Sequence, residues 1–199
     1  MKVEKETIKK FKKNIEKQDK KHKRKSNVHW IITITVMAFM ISFCFSFATE
    51  TIMPNVPVLI GTILLFVFIG LGILFDMIGV AVTSADEKPF HSMSAKKIRG
   101  ANVAVYLKKN ADKVSSFCND VIGDICGIVS GSAGVYIAAS LASTFHMNSF
   151  LVSLLITAVI AALTIGGKAM GKGVAINKST MILYEFSKAI SYIYHPKNK

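Results

Sequence analysis

Four long apolar stretches limit what this chain can fold into more than any other feature of its sequence. They cover about residues 29–48, 56–85, 115–144 and 149–173. A helix needs about 20 apolar residues to cross a bilayer, and only helices and closed barrels satisfy their own backbone groups there. Hydrophobic residues make up 51% of the chain although its net charge is +13, which fits apolar spans with basic flanks. We therefore predict an all-α, polytopic membrane protein with four transmembrane helices.

The distribution of cations predicts how these spans are oriented. All 25 Lys and Arg residues lie in residues 1–28, between spans two and three, or from the end of span four onward. The loops at residues 50–55 and 145–148 carry none. By the positive-inside rule, both termini and the central segment are expected on the cytoplasmic side. Compact loops and the lack of a eukaryotic targeting signal favour a bacterial inner membrane.

The same pattern divides the chain into regions. These are a basic cytoplasmic leader (1–28), an extra transmembrane helix with its outer turn (29–55), a three-span unit (56–175) containing a basic segment (86–113), and a C-terminal amphipathic helix (176–199). Segment 86–113 is expected to form an elbow helix along the membrane surface, because cations interleave with apolar residues. The leader is expected to contact anionic lipid of the inner leaflet. No nucleic acid partner is predicted, because no aromatic interleaving accompanies the charge.

Three aspartates lie inside the apolar spans, where an ionisable side chain costs roughly 2.5 to 3.5 kcal/mol on insertion scales. Asp76 precedes the cytoplasmic end of span two by nine residues, whereas Asp120 and Asp124 lie five and nine residues into span three. These separations correspond to roughly 8 to 14 Å along a helix. Because the two spans run in opposite directions, the three acids are expected at one level. Asp120 and Asp124, spaced four residues apart, are predicted to share a helix face.

Further polar groups and backbone near glycine are expected at this level. Asn119 adjoins Asp120, and Gly166, Gly167 and Lys168 come shortly before the end of span four. Carboxylates, an amide oxygen and backbone carbonyls near glycine are ligands that suit Mg²⁺. The candidate metal ligands are therefore Asp76, Asn119, Asp120, Asp124, Gly166 and Gly167. The alternative is that the acids reach interfacial water or pair with a lysine such as Lys168, which requires no ion.

Small residues form a second pattern. Gly123, Gly127 and Gly131 recur every four residues in span three, and Gly167 and Gly171 repeat the spacing in span four. Glycines at this spacing allow the backbones of two helices to approach closely. Two uses remain open, which are packing within one chain and the seam of a homodimer.

The sequence has no catalytic pattern. Its five histidines are scattered, its three cysteines lack metal-ligand spacing, and no nucleophile elbow or phosphate loop occurs. The chain is therefore predicted not to be an enzyme and to need no organic cofactor.

Three polar runs interrupt or border the apolar spans. They are FDMIGVAVTSADEKPFHSMSAKKIRGA (75–101), KNADKVSSFCNDVIGDICGIVSG (109–131) and TIGGKAMGK (164–172). In this order they resemble three parts of the CorB/CorC/CNNM magnesium-transporter transmembrane domain. These parts are the first span and elbow with a Phe-Ser-Ala-Ser-Glu-type motif, the Asn-rich second span, and the Phe-Gly-Glu-Ile-x-Pro-Lys turn of the third. The resemblance covers roughly residues 56–175.

The resemblance implies a dimeric membrane domain that binds a dehydrated Mg²⁺ between its helices near the cytoplasmic side and moves it across the membrane. It carries Asp76 onto the family's coordinating Ser, and Asn119 and Asp120 onto its Asn ligands. It carries the Gly166–Gly167 backbone onto the family's glycine carbonyl ligand. The expected function is therefore that of a divalent-cation transporter or exporter, with Mg²⁺ as the bound or transported ion.

This chain also departs from the family pattern. Gly79 replaces the motif glutamate, Asp76 brings a charge where the family has a hydroxyl, and Lys168 lies near the position of an acidic residue. The family's paired nucleotide-sensing modules and C-terminal acidic-binding domain have no counterpart here, so a short form without regulation by ATP is expected. The alternative function is a non-transporting membrane scaffold or accessory subunit that keeps the transporter-like fold.

Overall fold

The computed structural model describes residues 28–192, and their side chains from Trp30 onward. Predictions for the basic leader, apart from residue 28, and for the last seven residues of the C-terminal segment lie outside this part of the chain. The described residues fall into two units, residues 28–37 and residues 38–192. Within the described residues the structure is all-helical, as predicted, with no strand.

The helices follow the apolar pattern of the sequence. In chain order they are α1 (Val28–Ile52), α2 (Val58–Ser84), α3 (Lys88–Ala95), α4 (Ala101–Lys109), α5 (Ala111–Ser116), α6 (Asp124–Thr144), α7 (Ser149–Asn177) and α8 (Ser179–Ile190). A 3₁₀ turn, Met53–Asn55, follows α1, and a π-helix, Phe117–Gly123, joins α5 to α6. Four stretches of these described residues are long and apolar enough to cross a membrane: Trp30–Asn55, Val58–Ser84, Ala111–Thr144 and Ser149–Asn177. The prediction of four candidate spans is confirmed by length and composition.

Large apolar side chains are exposed along these spans. Leu59 is 73% exposed, Leu155 is 69% exposed and Phe47 is 66% exposed. Contiguous apolar surface on this scale marks a surface that contacts something other than water. On helices of this length, the natural contact is the hydrocarbon of a bilayer.

Helices α2, α6 and α7 pack against one another in a three-helix body. Its apolar core includes Leu65 and Ile69 of α2, Ala133 and Ile137 of α6, and Ile160 of α7. Glycines bring the backbones close at two contacts. Ile160 occupies the space over Gly134, and a Cβ on Gly171 would lie 2.8 Å from Cγ of Met77.

The glycine pattern of span three is therefore divided between two environments. Gly123 and Gly134 face neighbouring groups of this chain, whereas a Cβ on Gly127 or Gly131 would meet no atom within 4 Å. Packing within the chain involves Gly123 and Gly134. The Gly127–Gly131 face is left open among the described residues.

A second core joins the end of α2 to the short helices. Its buried members are Val82, Ala85, Phe90, Val103, Ala104, Leu107 and Leu183. We call the packed unit of α3, α4, α8 and the end of α2 the cap. Lys108 of α4 anchors the cap to α2, because its Nζ donates to the carbonyls of Val82 at 3.1 Å and Thr83 at 2.8 Å.

The segment 86–113 differs from the single elbow helix predicted for it. It contains α3, α4 and the start of α5, with left-handed backbone at Lys97 (φ 54°) and Gly100 (φ 85°). A Cβ on Gly100 would lie 2.9 Å from the Cα of Lys188, so α8 approaches this turn closely. Val103 and Leu107, two of the apolar residues interleaved with lysines, lie in the core of the cap, so the segment folds back instead of extending as one amphipathic helix.

Candidate cation site

The part of span three that carries predicted ligands is a π-helix. The seven residues Phe117–Gly123 include both Asn119 and Asp120, and the regular α6 begins only at Asp124. A π-helical turn forms i→i+5 hydrogen bonds, which changes the rotation of side chains about the axis, and such turns occur frequently at functional sites. In this chain the π-helix places Asn119 toward α2 and leaves Asp120 exposed.

Asn119 lies directly on the backbone of α2 at Gly79. Any side chain at Gly79 would collide with Oδ1 of Asn119, and its Cβ would be 2.6 Å from Cγ of that residue. The amide Nδ2 donates to Oγ of Ser115 at 3.4 Å. Oδ1 is buried and has no hydrogen-bond partner among the described residues. The absence of a side chain at Gly79 thus makes the room that the amide of Asn119 occupies.

Asp76 lies one turn before Gly79 on α2 and is only 4% exposed. Its Oδ2 is also buried without a hydrogen-bond partner in the described part of the chain. The nearest cation in an ion pair with it is Lys172 of α7, whose Nζ is 3.9 Å from Oδ2. Residues spaced i,i+3 share a helix face. Two acceptor oxygens without hydrogen-bond partners therefore lie along one face of α2.

The other two acids lie elsewhere. Asp124 forms an ion pair with Lys168 of α7, with 3.3 Å between Oδ1 and Nζ, and its side chain is 66% exposed. Asp120 is exposed as well. Within residues 28–192, no group of three or more His, Cys, Asp or Glu side chains is placed to hold a metal ion. The three acids that are predicted to lie at one level are thus of two kinds, one buried and two exposed.

The predicted backbone ligands lie inside α7, which is unbroken from Ser149 to Asn177. Gly167 packs against the side chain of Ile73, whereas no atom lies within 4 Å of a Cβ on Gly166. Carbonyls in the interior of an α-helix accept the hydrogen bonds of the helix itself. A ligand role for Gly166 or Gly167 would use the second lone pair of a carbonyl and stays a prediction.

Lys172 is not among the residues that the sequence pattern indicates for the site. Lys168, the lysine predicted to neutralise an acid, does pair with Asp124. The buried acid is instead approached by Lys172, one turn further along α7. The i,i+4 spacing of Lys168 and Lys172 was the available signal, since it places both lysines on one face of the span.

The two buried oxygens, Oδ2 of Asp76 and Oδ1 of Asn119, favour a cation or a hydrogen-bond donor as their partner. An ionised carboxylate only accepts hydrogen bonds, and the Asn119 amide already uses its nitrogen as a donor. Two buried oxygens of this kind can be satisfied by a cation, or by a hydrogen-bond donor that approaches from outside.

Comparisons of the chain with protein-family models, curated proteins and solved structures find no match.

Proposed function

We propose that this protein transports a hard divalent cation of the Mg²⁺ type across a membrane and binds it with Asp76 and Asn119. The observation that carries the proposal is the pair of buried oxygens, Oδ2 of Asp76 and Oδ1 of Asn119, without hydrogen-bond partners among the described residues. A buried polar group left unpaired costs about 1–3 kcal/mol, and more when it is charged. A bound cation would remove that cost from both oxygens at once.

The chemistry of the site fits Mg²⁺ better than a soft metal. Mg²⁺ takes oxygen ligands and keeps several of its waters, so two or three protein oxygens are enough. The exposed Asp120 and Asp124 would add negative charge along the approach, which raises the local concentration of cations. The sequence also predicts these two acids and the Gly166 and Gly167 carbonyls as ligands, but the proposed pair of Asp76 and Asn119 does not depend on them.

The remaining features of the proposal follow from the sequence. The positive-inside rule supports a multi-pass protein of the bacterial inner membrane with both termini in the cytoplasm. The basic segments support contact with anionic lipid of the inner leaflet. The resemblance to the CorB/CorC/CNNM family supports a homodimer, and the open Gly127–Gly131 face is a suitable seam for it.

A second function is favoured by the two ion pairs. Lys168 lies 3.3 Å from Asp124 and Lys172 lies 3.9 Å from Asp76, so each of these acids already has an ammonium nearby. In a non-transporting scaffold or accessory subunit, these lysines would neutralise the carboxylates permanently. No metal ion would then bind, and the pairs would serve only the packing of α7.

A thermal-shift titration of the purified full chain with Mg²⁺, Mn²⁺, Ca²⁺ and Na⁺ separates the two functions. A ligand that binds only the folded state adds about 2.7 kcal/mol of stability at a concentration of 100 times its Kd. For a transporter, the divalent ions stabilise the wild type, and Asp76→Asn abolishes the effect because it removes the charge at constant shape. Glu50→Gln is the matched control, since Glu50 is exposed and lies in a predicted outer loop.

Flux completes the test of transport. Wild-type protein in vesicles that contain a Mg²⁺-sensitive dye should change the internal Mg²⁺ concentration, whereas the Asp76→Asn protein should not. A wild type that no divalent ion stabilises, and that moves none, would exclude the transporter and leave the scaffold.

A further inference from the structure

Lys172 approaches the candidate site in a way that differs from an ordinary buried ion pair. The side chain of Asp76 is 6% exposed, but that of Lys172 is 53% exposed. The ammonium therefore reaches a buried carboxylate from a largely open position. Lysine carries its charge on a flexible four-carbon stem, so leaving this position requires little change elsewhere.

The contact satisfies the charge of Asp76 without completing its hydrogen bonds. A separation of 3.9 Å between Nζ and Oδ2 is beyond the usual hydrogen-bond range of 2.7–3.2 Å. Oδ1 of Asn119 has no hydrogen-bond partner in the same arrangement. The ammonium is thus close enough to balance the charge of one carboxylate, but it leaves the hydrogen-bonding capacity of both oxygens unused.

Lys168 cannot perform this role. Its Nζ lies 3.3 Å from Oδ1 of Asp124, which belongs to α6, and this acid is largely exposed. Lys168 and Lys172 are thus two lysines on one helix face that pair with acids of two different helices. This difference makes Lys168 a matched control for Lys172.

We infer that Lys172 is a tethered counter-cation that occupies the Asp76 site when no metal ion is bound and must leave it for the ion to bind. The inference rests on the proposed cation site. An ammonium and a metal ion that use the same carboxylate oxygen repel each other, so their occupancies are mutually exclusive. The buried charge of Asp76 is then balanced in both states, by Lys172 in the empty site and by the ion in the filled one.

This competition sets the affinity of the site. Displacing Lys172 gives up its attraction to Asp76, so the lysine weakens the apparent binding of every cation that uses this carboxylate. Asp76 is buried but Lys172 is about half exposed, so solvent screens part of the attraction and the expected weakening is roughly three- to tenfold. Weak binding of this kind favours release of the ion after transport, while the lysine returns to the empty site.

The test compares Lys172→Met with Lys168→Met in the purified full chain, because methionine keeps an unbranched apolar stem without the charge. Mg²⁺ is titrated by calorimetry against the wild type and both variants. Lys172→Met is expected to bind Mg²⁺ roughly three- to tenfold more tightly than the wild type, and Lys168→Met within about twofold of it. Equal affinities of the wild type and Lys172→Met would overturn the inference and leave the proposed function standing.

A second measurement needs no variant, and so remains available if Lys172→Met does not fold. Acylation of lysine amines, followed by mass spectrometry, should label Lys172 of the wild type faster when Mg²⁺ is present. Lys168 should be labelled at the same rate with and without Mg²⁺. An unchanged rate at Lys172 under saturating Mg²⁺ would contradict its displacement.

The outcomes separate this inference from the function on which it rests. If Lys172→Met binds Mg²⁺ and the wild type does not, the lysine blocks the site as inferred, and transport by the natural chain is refuted. If neither binds Mg²⁺, both the site and the tethered counter-cation are refuted.

Discussion

Replacing Gly79 by alanine tests the contact on which the candidate site depends. Gly79 is the point of α2 on which the Asn119 amide rests, and a Cβ there would collide with Oδ1 of Asn119. Gly70 lies earlier on the same helix, and a Cβ there meets no atom within 4 Å. Gly79→Ala and Gly70→Ala therefore make the same chemical change in the same helix, one against Asn119 and one in open space.

The expected difference in stability follows from two opposing terms. Alanine in place of a helical glycine stabilises by roughly 0.5–1 kcal/mol, and Gly70→Ala should show this gain in full. At Gly79 the same gain is offset by overpacking, which costs about 1–3 kcal/mol. The group that must move is the end of the short Asn119 side chain and not backbone, so we expect the lower part of that range. Gly79→Ala should thus be about 1–2 kcal/mol less stable than Gly70→Ala.

The assay has two readouts. Denaturant unfolding in detergent micelles gives the free energies of unfolding of both variants relative to the wild type. Titration with Mg²⁺ should show that Gly70→Ala retains the binding of the wild type, whereas Gly79→Ala loses it, because the displaced amide takes Oδ1 of Asn119 away from Asp76. If the two variants are equally stable and bind Mg²⁺ equally well, Asn119 does not rest on Gly79 and the described geometry of the site is refuted.

The remaining predictions concern the cap and the open face of α6. Lys108→Met removes both hydrogen bonds to the end of α2 and should cost about 1–3 kcal/mol, with faster amide hydrogen exchange at Val82 and Thr83; unchanged exchange would contradict the anchoring role. Gly100→Ala should destabilise by about 1–3 kcal/mol in the same unfolding assay, because it combines a φ of 85° with the close approach of α8, and a neutral effect would argue against that turn. Gly131→Leu should leave monomer stability nearly unchanged but lower cross-linking between copies, and undiminished cross-linking would place the homodimer seam elsewhere.

Much of the fold could be predicted from the sequence because a helix that crosses a bilayer needs a long, uninterrupted run of apolar residues. Spans two and four begin within about two residues of their predicted starts, and both continue as single helices. The common level of the three acids follows from residue count along the helices and stays a prediction. The division of segment 86–113 into several helices was not readable, because its apolar residues fit a surface helix and a packed cap equally well.

The composition of the site could be predicted only in part. Asp76 and Asn119 were among the predicted ligands, and the structure leaves one oxygen of each buried without a hydrogen-bond partner. Asp120 and Asp124 were predicted to lie at the same level, but they are exposed. Residue count determines how deep a side chain lies and says nothing of the direction in which a helix turns it. The π-helix at Phe117–Gly123 changes the direction in which these side chains point. No simple residue pattern predicts a π-helix at this position.

The sequence by itself determined that the described part of the chain is helical and which of its stretches are long and apolar enough to cross a membrane. Helix length and hydrophobicity depend on consecutive residues and not on tertiary contacts, so they can be predicted from the sequence. The tertiary structure alone decided that Lys172, and not Lys168, faces the buried Asp76. Pairing of this kind depends on the rotation and offset of packed helices, which are set by how glycines such as Gly79 and Gly171 receive the side chains of their neighbours.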